Sequence, residues 1–285
     1  PILSISMRGL SSNHVLVLVN GKRRHQTAQI NTTISGGRGP DPVDIDLIPM
    51  SAVEHIEILQ DGAAAQYGSD AIAGVVNIIL KKTPNKLSLQ ALNGGYYRGD
   101  GFTTSESANF GGSIGNRGFY NASVEFKHND RTARGGFDNR AGVPDVMQKE
   151  MAQSMGLQPV TRELVSINLG YDITKDISLY AFGTYGHVNS QQAYNYRLPT
   201  SYAPNGIIPY VATEENDYSF TAGFKGKVFS DWDWDVGTTT GGNVNDLSGY
   251  NMYNPALLAA TASNPSLFFL GSPFDPQLSS TVDIQ

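Results

Sequence analysis

The chain contains no cysteine. That absence excludes a disulfide scaffold, a thiolate metal site and a cysteine nucleophile. Charge is scarce as well, at 16% of 285 residues. No apolar run reaches the roughly 20 residues that a transmembrane helix requires. Membrane strands stay open, because a strand crosses in about 9–11 residues and half of them can be polar. No leader-like segment stands at the front; the chain opens at Pro1 directly into a strand-like ILSISMRG, so a mature or trimmed N-terminus is expected. The histidines His14, His25, His55, His128 and His187 lack metal-ligand spacing, and neither a nucleophile elbow nor a Walker motif occurs. With every mechanistic motif missing, no enzyme, no cofactor and no metal site are expected. A formal net charge of −6 argues against a nucleic-acid partner.

What is present is glycine, at 31 residues, and tyrosine, at 14 against 2 tryptophans, a composition suited to membrane strands. Residues 14–20 are apolar and β-branched and read as a strand buried on both faces. Asn20-Gly21 predicts a type I′ hairpin turn, since both positions take positive φ. Lys22–His25 then opens a return strand, and its basic cluster is expected on a solvated edge; contact with an acidic wall or an anionic ligand is the alternative. Gly36-Gly37-Arg38-Gly39-Pro40 reads as a loop and not as a phosphate cradle, because no strand feeds it and no long helix follows. Pro49 begins a short helix through Ser51–Glu54. His55–Leu59 alternates Ile56 and Ile58 with Glu57 as a strand. Asp61 caps a short helix over Gly62–Tyr67, and Gly68 closes it in the left-handed region. Ser69 or Asp70 caps another turn, ended by Gly74. Val75–Leu80 is a second buried strand, stopped by Lys81, Lys82 and Pro84. The carboxylates Glu54, Glu57, Asp61 and Asp70 therefore read as structural.

From Lys86 onward the period becomes two. Val165, Ile167, Leu169, Tyr171 and Ile173 share one face, and Ser166, Asn168, Gly170 and Asp172 the other. Ile177, Leu179 and Ala181 repeat the pattern. Tyr218, Phe220, Ala222, Phe224 and Val228 oppose Ser219, Thr221, Lys225 and Lys227, and Trp232, Trp234, Val236 and Thr238 oppose Asp233 and Asp235. Strands are expected near 86–98, 102–115, 119–128, 162–173, 177–188, 217–229 and 232–245. Tight turns at Asn116–Gly118, Thr174–Asp176 and Ser230–Asp231 alternate with long loops at 129–161, 189–216 and from 246 onward, the rim asymmetry of an outer-membrane barrel. Phe119, Tyr120, Tyr171, Trp232 and Trp234 lie beside the tight turns, as in an interfacial girdle. Glu106 interrupts the apolar face of Phe102, Ala108 and Phe110 and is expected to mark a register break.

In their order and spacing, Arg8-Gly9-Leu10, Val17-Leu18-Val19-Asn20-Gly21, Ile56-Glu57-Ile58, Asp61-Gly62-Ala63, Tyr67-Gly68 and Ala71-Ile72-Ala73-Gly74-Val75-Val76-Asn77-Ile78 resemble one family, the TonB-dependent outer-membrane receptors. The resemblance implies an α+β plug domain over residues 1–84, followed over 85–285 by about seven antiparallel transmembrane β-barrel strands with long surface loops. Barrels that hold a plug have about 22 strands, so an incomplete barrel, a fragment, is expected. The resemblance further implies the outer membrane of a Gram-negative bacterium and active uptake of a scarce nutrient of the iron-chelate, cobalamin or carbohydrate class. Its partners would be outer-membrane lipid, a TonB-type energy-coupling protein and a small-molecule ligand. The family's TonB box is not recognisable in this sequence. Arg8, Gly9, Asn20, Gly21, Asp61, Gly62, Tyr67, Gly68 and Gly74 would be structural plug positions. Ligand contacts are expected from loops 26–45, 129–161, 189–216 and 246–285, with Arg38, Asp41, Tyr194, Tyr196, Tyr250 and Tyr253 as candidates. The alternative is a non-transporting β-rich surface adhesin or glycan-binding module.

Overall fold

The computed structural model describes residues 2–29, 41–60, 67–82, 86–147, 154–201, 203–228, 232–261, 264–265 and 267–284. Arg38, Asp61, Gly62, the loop at 36–40, the turn at Ser230–Asp231 and Pro84 lie outside the described residues.

Two sheets make up the structure. The smaller contains β1 (Val15–Val19), β2 (Lys22–Arg23), β3 (Val53–Leu59) and β4 (Gly74–Leu80), in the order β2-β1-β4-β3. β1 and β4 run parallel and the other pairs antiparallel. All five residues of β1 are buried, as a run apolar on both faces requires. Val15, Val17 and Val19 pack with Ile48, Ala52, Val76, Ile78 and Leu80 on one side; Leu16 and Leu18 pack with Ala71 and Val75 on the other. The Asn20-Gly21 turn has φ of 47° and 80°, as a type I′ turn demands. The Asn20 side chain also accepts a hydrogen bond from the Leu80 amide at 2.9 Å, which binds the turn to β4.

Three local expectations change. Pro49 introduces only a 3-10 turn, Met50–Ala52, so β3 starts at Val53 and Glu54 is extended. Gly68 has φ 91° and ψ −171°, a mirror-extended conformation open to glycine and not the left-handed helical one. It leads into a 3-10 turn, Ser69–Ala71, and Asp70 makes an ion pair with Arg23. Gly74, at φ 145°, is the first residue of β4; a Cβ there would lie 2.7 Å from the Leu59 carbonyl oxygen. It permits a close backbone approach and ends no helix.

The larger sheet is an open antiparallel wall. It contains β5 (Lys86–Gly94), β6 (Thr103–Ile114), β7 (Gly118–Asn129), β8 (Val160–Asp172), β9 (Ile177–Ala193), β10 (Tyr210–Val228), β11 (Trp232–Tyr250), β12 (Leu267–Gly271) and β13 (Phe274–Ile284), and neighbours in sequence are neighbours in space. β12 and β13 pair with successive stretches of the same edge of β11. They form one strand interrupted at Ser272 and Pro273. Pro276 can lie in β13 because that strand is at the edge and its missing N–H points away from the ladder. This strand and the helix α1 (Pro255–Thr261), capped by the Asn254 carboxamide, occupy what reads in the sequence as loop. β9, β10 and β11 also run further toward the long-loop rim than the apolar alternation indicates.

The wall's faces differ as expected. Val124, Val165, Ile167, Phe220, Phe224, Val236, Leu278 and Val282 are exposed on the convex face. Asn121, Ser123, Ser166, Asn168, Thr184, Asp217, Thr221, Asn243 and Asn245 are buried on the concave face, against the small sheet. On the convex face the apolar series ends at Glu106, Glu163, His187 and Asn216, side by side in register with Phe126 between the first two. On β10 the series below this row runs from Tyr218 to Val228, about 33 Å at ~3.3 Å per residue. Tilted by ~45°, this gives a band roughly 23 Å tall, close to the ~25 Å of outer-membrane barrels. Glu106 thus bounds the apolar band and marks no register break, since pairing is continuous on both sides of β6. Tyr120, Tyr171, Trp232 and Trp234 belong to the convex face. Phe119 has the opposite parity; it points inward and covers Gly170.

Candidate functional site

The basic cluster after the hairpin is not on a solvated edge. Lys22, Arg24 and His25 are buried against the wall, and among these four residues only Arg23 is largely exposed. β2 is two residues long, so the chain leaves the sheet at once and lies along the concave face of β9–β11. There Arg24 donates to Thr184 Oγ1 at 2.6 Å and forms an ion pair with Asp217. His25 Nε2 lies 2.7 Å from the other oxygen of Asp217. Asn243, fully buried, donates to Glu215 at 2.7 Å and to Asp217 at 3.1 Å; its own carbonyl accepts from Thr27 Oγ1 and from the Ala28 amide, each at 3.1 Å. Lys22 lies 3.0 Å from Asp235, which also accepts from the Tyr180 hydroxyl at 2.6 Å. Gly241 makes room for this insertion, because a Cβ there would overlap the His25 ring. Burial and the Arg24 cation hold the His25 pKa below its ordinary value, against the pull of Asp217. The alternative reading of the basic cluster, contact with an acidic wall, is the one realised.

A second contact has the opposite polarity. Asp46 of the small unit meets Arg162 at 2.7 Å and Lys127 at 3.9 Å, and Glu125 accepts from the Ser51 amide at 3.1 Å. Asp44, next to this contact, is buried and accepts from the Leu3 and Asp46 amides at 3.1 and 3.0 Å. Burial first, and the nearby charge of Glu215 second, push its pKa to about 7. Between the two polar contacts Leu47 packs with Val160, Leu164 and Val188 over Gly186. Lower down, Asn168 donates to the carbonyls of Leu80 and Lys81, at 3.4 and 3.0 Å.

At the long-loop rim a cavity of about 630 Å³ is lined by Tyr194, Arg197, Ile207, Pro209, Val211, Met252, Tyr253, Pro255 and Leu270. Val211 shares strand parity with Asp217, which places the cavity on the concave side. Of the candidate ligand residues, the structure brings together Tyr194 and Tyr253. Tyr196 is buried with Met147 and Ile208, and its hydroxyl donates to the Asn205 carbonyl at 2.6 Å. Tyr250 has the parity of the convex face and borders a different groove, with Thr161 and Glu214. Asp41 accepts from the Asn13 side chain at 3.0 Å and does not line this cavity. Arg197, Met252 and Leu270 carry no sequence signal, because their segments have no period.

Residues 3–75 match the family model described as "TonB-dependent Receptor Plug Domain". Over 84 residues the chain is 43% identical to an iron-regulated outer membrane virulence protein of Vibrio cholerae, a match covering 30% of this chain and 12% of that protein. Over 100 residues it is 42% identical to the vitamin B12 transporter BtuB of Vibrio vulnificus, covering 35% and 14%. The fold is similar to that of a ferric enterobactin receptor (PfeA) variant from Pseudomonas aeruginosa, with TM-score 0.58 at 17% identity, covering 97% of this chain and 38% of that one. The chain thus spans well under half the length of these proteins. Residues 3–75 are therefore a plug domain of the TonB-dependent receptor type, and the chain as a whole has the fold of such a receptor's plug together with an open stretch of the surrounding barrel.

Proposed function

We propose that this chain is part of an outer-membrane receptor for TonB-coupled uptake of a scarce small molecule, of the iron-chelate, cobalamin or carbohydrate class. The observation that carries the reading is a plug seated by buried charge inside a wall that is apolar outside and polar inside. Such a plug blocks the lumen at rest, and external work is needed to shift it. An adhesin has no need of a sealed lumen. The boundary between plug and barrel falls at 84/85, between the end of β4 at Leu80 and the start of β5 at Lys86. Lipid covers the convex band, and no nucleic acid takes part. Ligand enters from the long-loop rim and first meets the cavity of Tyr194, Tyr253 and Arg197. Its aromatic and apolar walls with one guanidinium suit a ligand with flat or apolar surface and some negative charge. The test is uptake of ferric enterobactin and of cyanocobalamin by cells expressing the full-length receptor, with and without Y194A/Y253A/R197A. Uptake of neither probe, or unchanged affinity in the triple variant, refutes the corresponding part of the proposal.

A further inference from the structure

The chain carries a net charge of −6, yet its tight-turn rim opens into a cavity of the opposite sign. This cavity, of about 570 Å³, lies between the Asn20-Gly21 hairpin and the wall. Four of its lining side chains are cations, Lys22, Lys82, Arg117 and Lys225, against two carboxylates, Asp172 and Asp235. Both carboxylates are already engaged. Asp235 accepts from Lys22 and Tyr180, and Asp172 accepts from Ser178 Oγ at 2.7 Å. Among the described residues the Arg117 side chain donates to neutral oxygens, the Ile173 carbonyl at 3.2 Å and the Tyr171 hydroxyl at 2.9 Å. Lys82 and Lys225 have no bonded partner among the described residues. The floor is aromatic. Tyr180 stacks on Phe182 with 6.3 Å between ring centroids, and Phe119 lies over Gly170. These rings stand on a concave face otherwise rich in Asn, Ser and Thr.

A cleft of one sign with apolar walls concentrates counter-ions. Spacing decides their size. Gly118, Tyr171, Leu179 and Phe224 lie side by side in register, so Arg117 and Lys225, next to the two ends of this row, are three strand spacings apart. At ~4.8 Å per strand the separation is roughly 14 Å. A single small anion cannot meet both cations. An extended chain covers the span in about four to five residues at ~3.3 Å each. We propose that this cavity is a docking site for an acidic, extended segment of a periplasmic protein. Its carboxylates meet Lys82, Arg117 and Lys225, and an apolar or aromatic side chain lies on Phe119 and Tyr180. Asn20, Lys22 and Lys82 belong to the plug and the other lining groups to the wall, so the site has this shape only with the plug seated. Its occupant therefore favours the seated plug over a displaced one. The periplasmic side rests on the receptor reading above, since the short turns of an outer-membrane barrel face that compartment; the geometry does not rest on it.

The probe is a labelled peptide, Asp-Glu-Phe-Asp-Glu, titrated into the purified full-length receptor in detergent and followed by fluorescence anisotropy. It should bind saturably, with Kd below about 1 mM. Affinity should fall at least about tenfold between about 0.05 and 0.5 M salt. The uncharged peptide Asn-Gln-Phe-Asn-Gln, and the K82Q/R117Q/K225Q receptor with the acidic peptide, should each lose at least about tenfold. Asp-Glu-Ala-Asp-Glu should lose at least about threefold. The three replaced side chains are exposed, and the salt series on the unaltered receptor stands whether or not the variant folds. With peptide at about ten times Kd, amide exchange of the Asn20–Arg23 hairpin should slow about tenfold, because opening it dismantles the site. Absence of saturation, salt-independent binding, equal affinity for the uncharged peptide, unchanged affinity in the triple variant or unchanged hairpin exchange would each overturn the proposal. Tighter binding of dihexanoylphosphatidylglycerol, lost in the same variant, would overturn it in favour of a lipid. None of these readouts needs transport, so the uptake reading and this one fail separately.

Discussion

Replacing Arg24 by methionine keeps the apolar length of the side chain and removes its charge. The Arg24 and Asp217 side chains are 2% and 3% exposed, so water does not replace the lost partner. Asp217 is left with His25 at 2.7 Å and one carboxamide of Asn243 at 3.1 Å. Removing one member of a buried pair costs about 3–5 kcal/mol. At about 1.4 kcal/mol per tenfold, local opening of the segment from Arg24 to Gln29 should become roughly 10² to 4 × 10³ times more frequent. Amide hydrogen exchange of that segment in the detergent-solubilised receptor reads this directly. R24M/D217N, which removes both charges, should return exchange to within about tenfold of wild type, because no orphaned carboxylate remains. The deficit should also depend on pH. With Arg24 gone, one of the two effects that depress His25 is gone, so its pKa moves up from the lowered value, with burial still opposing the charge and Asp217 favouring it. R24M therefore takes up the His25 proton at less cost than wild type does, so its deficit relative to wild type is fully present at high pH and shrinks as pH falls. R24M should therefore be least impaired near pH 5.5 and most impaired at pH 8. An R24M exchange rate within about threefold of wild type at pH 8 would mean that water already reaches Asp217, and the buried-charge argument would be refuted.

Two further predictions concern the plug itself. Gly74→Ala should destabilise β4 more than Gly68→Ala does: both positions have positive φ, but only at Gly74 does a Cβ also meet backbone, the Leu59 carbonyl oxygen at 2.7 Å. Costs of about 1–2 kcal/mol for Gly68→Ala and about 2–4 for Gly74→Ala are expected, read as exchange rates of the β4 amides; the reverse order contradicts the close-approach role. Asp44→Asn should stabilise the plug at pH 8 by about 2–4 kcal/mol and leave it almost unchanged at pH 4. The folded state holds a proton on Asp44 up to about pH 7 where the ordinary value is 3.8, so wild-type stability falls as pH rises through that window. Thermal unfolding of both proteins across the window checks this, and parallel curves would show that the Asp44 carboxyl is hydrated.

Much of this architecture is legible in the chain because it is written in local pattern. The β1 run is apolar at every position, so both of its faces have to be covered, whatever covers them. Asn20-Gly21 takes positive φ twice, and few other dipeptides do. The period-two strands between Lys86 and Val236 assign one face to lipid and one to the lumen without reference to any partner. Legibility ends where the environment stops being two-faced. Beyond Glu163, His187 and Asn216 the strands leave the lipid band and are polar on both sides. Their extensions to Ala193, Tyr210 and Tyr250 therefore look like loop, and the cavity they frame is invisible in the sequence. The strand from Phe274 alternates clearly, but two prolines disguise it. The basic cluster is the clearest limit. Taken alone, Lys22, Arg24 and His25 belong in water, because burying an unpaired charge is costly. They are buried because Asp217 and Asp235 follow about two hundred residues later, on strands whose curvature brings those carboxylates to the plug. Local sequence determined which segments are strands and which of their faces are apolar. Only the tertiary structure decided which charges meet, because the favourable energy of a buried pair exists only once both partners have been brought together.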